Sequence, residues 1–200
     1  MFTGIVQGIG RIRAIEPGDG DISLVVDAGG LGLEGTEIGD SIAVNGVCLT
    51  VTRLAERAFA ADVSRETLSM TTLGDWRPGT AVNLEKAIVA GQALGGHYVT
   101  GHVDGVGEVM ERSDDARSVR IEFEAPHGLG RYLARKGSVC IDGVSLTVNA
   151  VKASRFHVNL VPHTLEVTIL GGYEPGTRVN LEVDIIARYV ERLTGNSGSV

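Results

Sequence analysis

Apolar and polar residues alternate along much of this chain in short runs punctuated by glycine. Val47, Leu49 and Val51 point one way and Cys48, Thr50 and Thr52 the other, a period of two that predicts a strand with one buried face. Asn45-Gly46 precedes that run and Asp142-Gly143 precedes a similar one, and these dipeptides suit a two-residue type I′ hairpin. Pro78-Gly79 and Pro175-Gly176 read as tight turns feeding β-branched strands. Near the end the period changes. After Asp184, a candidate N-cap, the run IIARYVERL places Ile185, Ile186, Tyr189, Val190 and Leu193 on one helical face, and Gly195 ends it. Such a helix either docks on its own domain or packs against copies of itself. Residues 195–200 read as a frayed tail.

The pattern is written twice. Thr3-Gly4-Ile5-Val6-Gln7-Gly8 returns as Thr100-Gly101-His102-Val103-Asp104-Gly105, and Asn45 to Val51 returns as Asp142 to Val148. Glu66-Thr67-Leu68 returns as His163-Thr164-Leu165, and Pro78 to Glu85 returns as Pro175 to Glu182, always 97 positions later. Unrelated positions agree roughly one time in fifteen, so unbroken blocks in one register mean duplication. Short strands with Gly at the corners predict a small closed barrel. The expected organisation is therefore a first barrel over 1–97, with a glycine-rich linker at about 90–96, and a second over 98–194 that includes the helix from about 185.

Composition narrows the function classes. The net charge is −7 with no Lys/Arg run, which argues against a nucleic-acid groove or an anionic membrane surface. No run of apolar residues is long enough to span a bilayer, and MFTGIVQGIG has no signal-peptide character. Cys48 and Cys140 occupy non-equivalent positions, so reduced thiols in a cytoplasmic protein are expected. The phosphate-cradling, nucleophile-elbow and dinucleotide motifs are all missing. His97 and His102 have no Cys/Asp/Glu cluster beside them, so no metal is expected.

A duplicated binding barrel suits two similar ligands. Thr3-Gly4 and Thr100-Gly101 let another group approach the main chain, although such glycines are often mere strand bends. The copies differ where Phe2, Ile5, Cys48 and Glu66 of the first face Val99, His102, Ser145 and His163 of the second. If both bind one molecule, those differences separate a donor site from an acceptor site. Cys48 suits a nucleophile or proton relay and His102 a general base, each against the plainer reading of a structural residue.

MFTGIVQG, NGVCLTVT, SRETL, GGHYVTGHVDG, DGVSLTVN and VPHTLEVTILG, in this order from Met1 to about Leu193, closely resemble the riboflavin synthase family of the alpha-chain type. The resemblance implies a mainly β fold of two tandem six-stranded antiparallel Greek-key barrels plus a C-terminal helix. It implies a transferase converting two molecules of 6,7-dimethyl-8-ribityllumazine into riboflavin and 5-amino-6-(D-ribitylamino)uracil by four-carbon transfer, without cofactor or metal. It also implies a homotrimer joined through its helices, reactive sites between the first barrel of one subunit and the second of its neighbour, and association with a lumazine synthase capsid.

Carried over by motif, the first pocket takes Gly4, Ile5 and Val6, then Cys48, Leu49 and Thr50, then Asp62, Val63, Ser64, Arg65, Glu66 and Thr67. The second takes Gly101, His102 and Val103, then Ser145, Leu146 and Thr147, then Asn159, Leu160, Val161, Pro162, His163 and Thr164. Lys136 matches a lysine that reaches ligand across the subunit boundary. His163 stands where some members carry Glu. Phe2, Ser41, Cys48, His102 and Asp184 match positions tied to catalysis. Two rivals remain: a lumazine or flavin carrier on the same barrels, and an oligonucleotide-binding barrel. The acidic balance and four Phe oppose the second.

Overall fold

A computed structural model describes residues 1–18 and 21–195. Six strands, β1 (Gly8–Pro17), β2 (Ile22–Asp27), β3 (Ser41–Val44), β4 (Val47–Ala55), β5 (Ala58–Val63) and β6 (Ala81–Lys86), close an antiparallel barrel in the order β1-β2-β5-β4-β3-β6. Asn45 and Gly46 have φ of 45° and 75°, as the type I′ turn between β3 and β4 demands. Val47, Leu49 and Val51 then fall inside, while Cys48 is half-buried and Thr50 exposed. Helix α1 (Arg65–Met70) and a 3₁₀ turn (Thr72–Asp75) lead from β5 towards β6.

The second repeat follows the same path through β7 (Gly105–Asp115), β8 (Ser118–Glu124), β9 (Ser138–Ile141), β10 (Val144–Thr147), β11 (Ala150–Lys152), β12 (Arg155–Leu160), α2 (Pro162–Val167) and β13 (Arg178–Val183). Its strand order is β10-β9-β13-β7-β8-β12-β11, so the counterpart of β4 is in two pieces. The cause is local. In β4 the register against β5 slips between Val51 and Arg53, leaving Thr52 as a bulge. At the equivalent Asn149 the ladder parts, although Asn149 N still donates to His157 O at 2.9 Å.

Each barrel has its own apolar centre. Leu24, Ile42, Phe59, Leu73, Trp76 and Leu84 fill the first, while Ile121, Phe123, Phe156, Leu160 and Leu181 fill the second. A third, smaller cluster joins the two repeats: Phe2, Ala43, Val99 and Cys140. Phe2 and Val99 are equivalent positions and pair with each other, Phe2 N donating to Val99 O at 2.7 Å and Val99 N to Phe2 O at 3.2 Å.

The two hairpin turns also meet. A Cβ on Gly46 would lie 2.7 Å from Gly143 N, so only glycine permits this approach. Around them Asn83 and Asn180 work as mirror partners. Asn83 Nδ2 donates to Asp142 O at 2.8 Å, and Asn180 Nδ2 donates to Asn45 O at 2.9 Å. Their Oδ1 atoms accept from Ile169 N at 2.9 Å and Thr72 N at 2.8 Å. Buried amides in the middle of a strand are tolerable only with this full satisfaction. The glycine-rich stretch before the second repeat ends tightly packed, since a Cβ on Gly96 would collide with Thr3 O.

One position breaks this internal symmetry. Asn45 is matched by Asp142, whose Oδ1 accepts from Asn180 N at 2.8 Å and whose Oδ2 accepts from the Tyr173 hydroxyl. Burial pushes the Asp142 carboxyl up to about 7, against the hydrogen bonds from Tyr173 and Asn180. A raised carboxyl favours the folded state while protonated, so its contribution is lost as pH climbs from about 4 through about 7. Asp142→Asn removes that titration, keeps an acceptor for Asn180 N, and turns a donor towards the Tyr173 hydroxyl oxygen. Relative to the variant, the wild-type chain should lose roughly 3–4 kcal/mol of unfolding free energy between pH 4 and pH 8. Urea unfolding across that range checks this, and parallel curves for the two proteins would refute it.

Helix α3 (Ile185–Thr194) begins where expected, with Asp184 Oδ1 accepting from Ile186 N at 3.0 Å, and Gly195 caps it at φ 74°. Its apolar side is not covered by its own barrel: Ile186, Tyr189, Val190 and Leu193 are 55%, 66%, 53% and 84% exposed. The expected tail beyond Gly195 lies outside the described residues. Among them, no helix is long and apolar enough to cross a membrane.

Candidate functional site

The chemistry gathers on the outer face of β3–β4 and of its counterpart β9–β10. Ser41 pairs with Thr50 across the first ladder and Ala43 with Cys48, which places Ser41, Cys48 and Thr50 on one face. Ser145 and Thr147 lie in the same way opposite Cys140 and Ser138. Alternation explains the set, because Val and Leu at the intervening positions go inside.

Each face is completed by the other repeat. Residues 3–6 and 100–103 form two short hooks, and the hooks are exchanged. Gly4 O accepts from Ser145 N at 2.8 Å, and Gly101 O accepts from Cys48 N at 3.0 Å. Val6 packs on the core of the second barrel and Val103 on that of the first. The grouping carried over from the family motifs, Gly4–Val6 with Cys48 and Gly101–Val103 with Ser145, is therefore crossed in these contacts. His102, exposed, follows the contact with Cys48, and Ile5, 49% exposed, follows the contact with Ser145.

Two buried carboxylates hold the hooks. Glu85 accepts from Thr3 N at 2.7 Å, Thr3 Oγ1 at 2.6 Å and Gly4 N at 3.0 Å. Glu182 accepts from Thr100 N at 2.6 Å, Thr100 Oγ1 at 2.8 Å and Gly101 N at 2.9 Å. Burial raises both carboxyls, and the hydrogen bonds from the hooks oppose it. Neither residue was expected as part of the site, although both stand in the repeated Val-Asn-Leu-Glu block, where a charge inside an apolar strand is itself a signal.

The residue that sequence reasoning left idle is His97. It is 7% exposed, its Nδ1 lies 2.6 Å from Ser145 Oγ, and its backbone N donates to Thr3 O at 3.1 Å. Burial holds the imidazole below its ordinary value, against the pull of the Asp184 carboxylate. The ring is thus neutral near pH 7 and hydrogen-bonded to a half-buried serine. Its Nε2 has no hydrogen-bond partner among the described residues. A neutral histidine behind a hydroxyl, with a carboxylate acting on it, can take a proton through that hydroxyl. The thiol of Cys140 is different: burial, then the Glu182 charge, raise it far above its ordinary value, which leaves it inert.

The remaining expected residues divide by position. Ser64 caps α1, its Oγ accepting from Thr67 N at 3.2 Å, and Asp62, Arg65 and Glu66 are exposed beside it. Asn159 is bound to Asn149 and Asp115, while Val161, Pro162 and His163 are exposed at the start of α2, followed by half-buried Thr164. Lys136 is exposed at φ 69°, where the first repeat has Gly39. Leu49, Val63 and Leu160 are core residues and offer a ligand only backbone, whereas Leu146 is half-buried against the second core. Phe2 is 0% exposed in the cluster between repeats and presents no side chain to solvent.

Comparison with known proteins places this geometry. The lumazine binding domain family matches the chain twice, at residues 3–87 and 100–184. The riboflavin synthase of Photobacterium phosphoreum is 47% identical over 96% of this chain and 88% of its own length. That of Mycobacterium tuberculosis (strain H37Rv) is 46% identical over 99% of this chain and 100% of its own. Among solved structures, LumP complexed with riboflavin superposes with a TM-score of 0.84 at 29% identity, covering 92% of this chain and 99% of that one. LumP complexed with 6,7-dimethyl-8-(1'-D-ribityl) lumazine gives 0.82 at 29% identity over the same shares.

Proposed function

We propose that this chain, which belongs to the riboflavin synthase family of paired lumazine binding domains, converts two molecules of 6,7-dimethyl-8-ribityllumazine into riboflavin and 5-amino-6-(D-ribitylamino)uracil. The observation that carries the reading is the pair of exchanged faces, alike in backbone and different in chemistry. One substrate twice over requires two similar pockets, and a dismutation requires that they act differently. On one face Cys48 and Thr50 stand with the hook of His102; on the other Ser145 and Thr147 stand with Ile5 and the buried His97.

The C7 methyl of the lumazine is acidic because its carbanion is delocalised into the ring. Ser145 backed by neutral His97 suits removal of that proton, and Cys48 with His102 suits addition or proton return at C7 of the second molecule. Holding two rings together supplies about 7–11 kcal/mol of the barrier reduction. Strand-edge amides and hydroxyls suit a uracil-like edge and a polyol tail. The pocket residues carried over by resemblance, from Asp62 to Thr67 and from Asn159 to Thr164 with Lys136, complete the ribityl and ring contacts. The assembly that goes with this reading is a homotrimer joined through α3, supported by the outward apolar side of that helix. The cytoplasm is its compartment, and a lumazine synthase capsid is its further partner.

The test needs protein and substrate alone. Incubation with the lumazine should yield riboflavin and the uracil in equal amounts. Binding without conversion would refute the enzyme and leave a lumazine carrier of the kind that the LumP complexes suggest. His102→Ala should cut turnover at saturation about 10²-fold or more with affinity little changed, and a loss confined to affinity would contradict its role.

A further inference from the structure

The two repeats meet one backbone need with different side chains. In the first, Gln7 Oε1 accepts from Lys86 N at 2.9 Å. At the equivalent place Asp104 Oδ2 accepts from Val183 N at 2.7 Å. A neutral side chain is enough for that bond, so the carboxylate in the second repeat answers a further demand. Its other oxygen, Oδ1, receives the Arg188 guanidinium from α3. The Asp104 side chain is only 9% exposed, and an enclosed carboxylate needs such a cation to offset its lost hydration.

Arg188 is held in turn. It lies 5.1 Å from the centre of the Tyr132 ring, and Arg131 lies 4.9 Å from the same ring. Tyr132 donates to Glu191 at 2.5 Å, and Arg131 pairs with Glu191 at 2.9 Å. The polar side of α3 is thereby fastened to the barrel while its apolar side faces outward. Asp104 is two residues beyond His102, on the chain that leaves the hook. Glu182 grips the same hook from the other end, through Thr100 and Gly101. His102 is thus suspended between two anchored carboxylates, one of them tied to the helix.

We propose that Asp104 and Arg188 are positioning residues, through which the docking of α3 fixes the hook that carries His102 beside Cys48. This rests on the reading of His102 as part of the reaction site. Asp104→Asn keeps an acceptor for Val183 N, as Gln7 does in the first repeat, and loses only the ion pair. Arg188→Met keeps an unbranched apolar stem and loses the cation.

Each variant should lower kcat roughly ten- to a hundredfold with KM within a fewfold, because small displacements of a reacting group act on rate more than on binding. The double variant should be no slower than the slower single one, and Arg188→Lys should recover most of the rate. Amide hydrogen exchange over residues 99–104 answers separately from activity. Faster exchange there in both single variants supports the relay even if the wild-type chain made no riboflavin, in which case the functional reading alone would fall. Exchange unchanged from wild type, or losses of rate that multiply in the double variant, would overturn the proposal.

Discussion

Replacing His97 with alanine should lower riboflavin formation about 10²- to 10⁴-fold, the range that a positioned acid–base group commands. The ring is buried, neutral and 2.6 Å from Ser145 Oγ, so the proposed proton transfer runs through the serine and not from the ring to the substrate itself. Lumazine affinity should change little, because the exposed surface of the site is left as it was. Ser145→Ala leaves the ring in place and should cost a similar amount. The two losses should not multiply, since a relay fails once when either member goes.

The pH profile carries an independent signature. Burial keeps the imidazole below the ordinary histidine value. Activity that depends on the neutral ring therefore persists into mildly acidic solution and falls only as pH drops through that lowered value. Steady-state rates followed from pH 8 downward into acid should show this limb below the ordinary histidine range in the wild type and lose it in His97→Ala. A variant that kept a third of the wild-type rate, or the same acid limb, would remove His97 from the mechanism.

The second large effect is expected at Gly101. A Cβ there would lie 2.5 Å from Cys48 Cβ and 2.8 Å from Cys48 N, at φ +78°. Gly101→Ala must lift the hook, lose the bond from Cys48 N to Gly101 O, and carry His102 away. Turnover should fall by more than about 10²-fold, the scale of a 1 Å misplacement. Gly79→Ala is the control, because its φ is +95° and a Cβ would meet nothing within 4 Å. That variant should lose only the backbone preference, about 1 kcal/mol of stability, and keep its rate. Equal rates for the two variants would show that the close approach at Cys48 does not matter to the reaction.

Much of the fold was legible because it is written in local rules. Asn45-Gly46 and Asp142-Gly143 specify their turns, the Val47 to Val51 alternation specifies its inner face, and Asp184 with Gly195 brackets α3. The helix also showed an apolar side in sequence, but not which neighbour would cover it. The ion pair of Arg188 with Asp104 and the contacts of Tyr132 turn that side away from the barrel. The break at Asn149 was not legible either, since a bulge and a parted ladder arise from the same alternation.

The site was half legible for a different reason. Cys48, Thr50, Ser145 and Thr147 follow from alternation alone. His97 stands in a glycine-rich stretch with no period, and its worth comes from burial against Ser145, which no spacing encodes. Glu85 and Glu182 were visible as charges in apolar strands, yet the groups they bind are backbone amides of residues about eighty positions away.

Sequence by itself determined that this protein is one binding unit written twice, with two like faces that differ at Ile5 and His102 and at Cys48 and Ser145. Only the tertiary structure decided which hook serves which face. The contacts from Ser145 N to Gly4 O and from Cys48 N to Gly101 O join main-chain atoms. Main-chain atoms are the same at every residue and in both copies, so either pairing satisfies the sequence. The choice falls to the way the barrels dock, through the Gly46–Gly143 contact and the reciprocal Asn83 and Asn180 amides. That docking sets the hook that carries His102 against Cys48 and leaves the serine to His97.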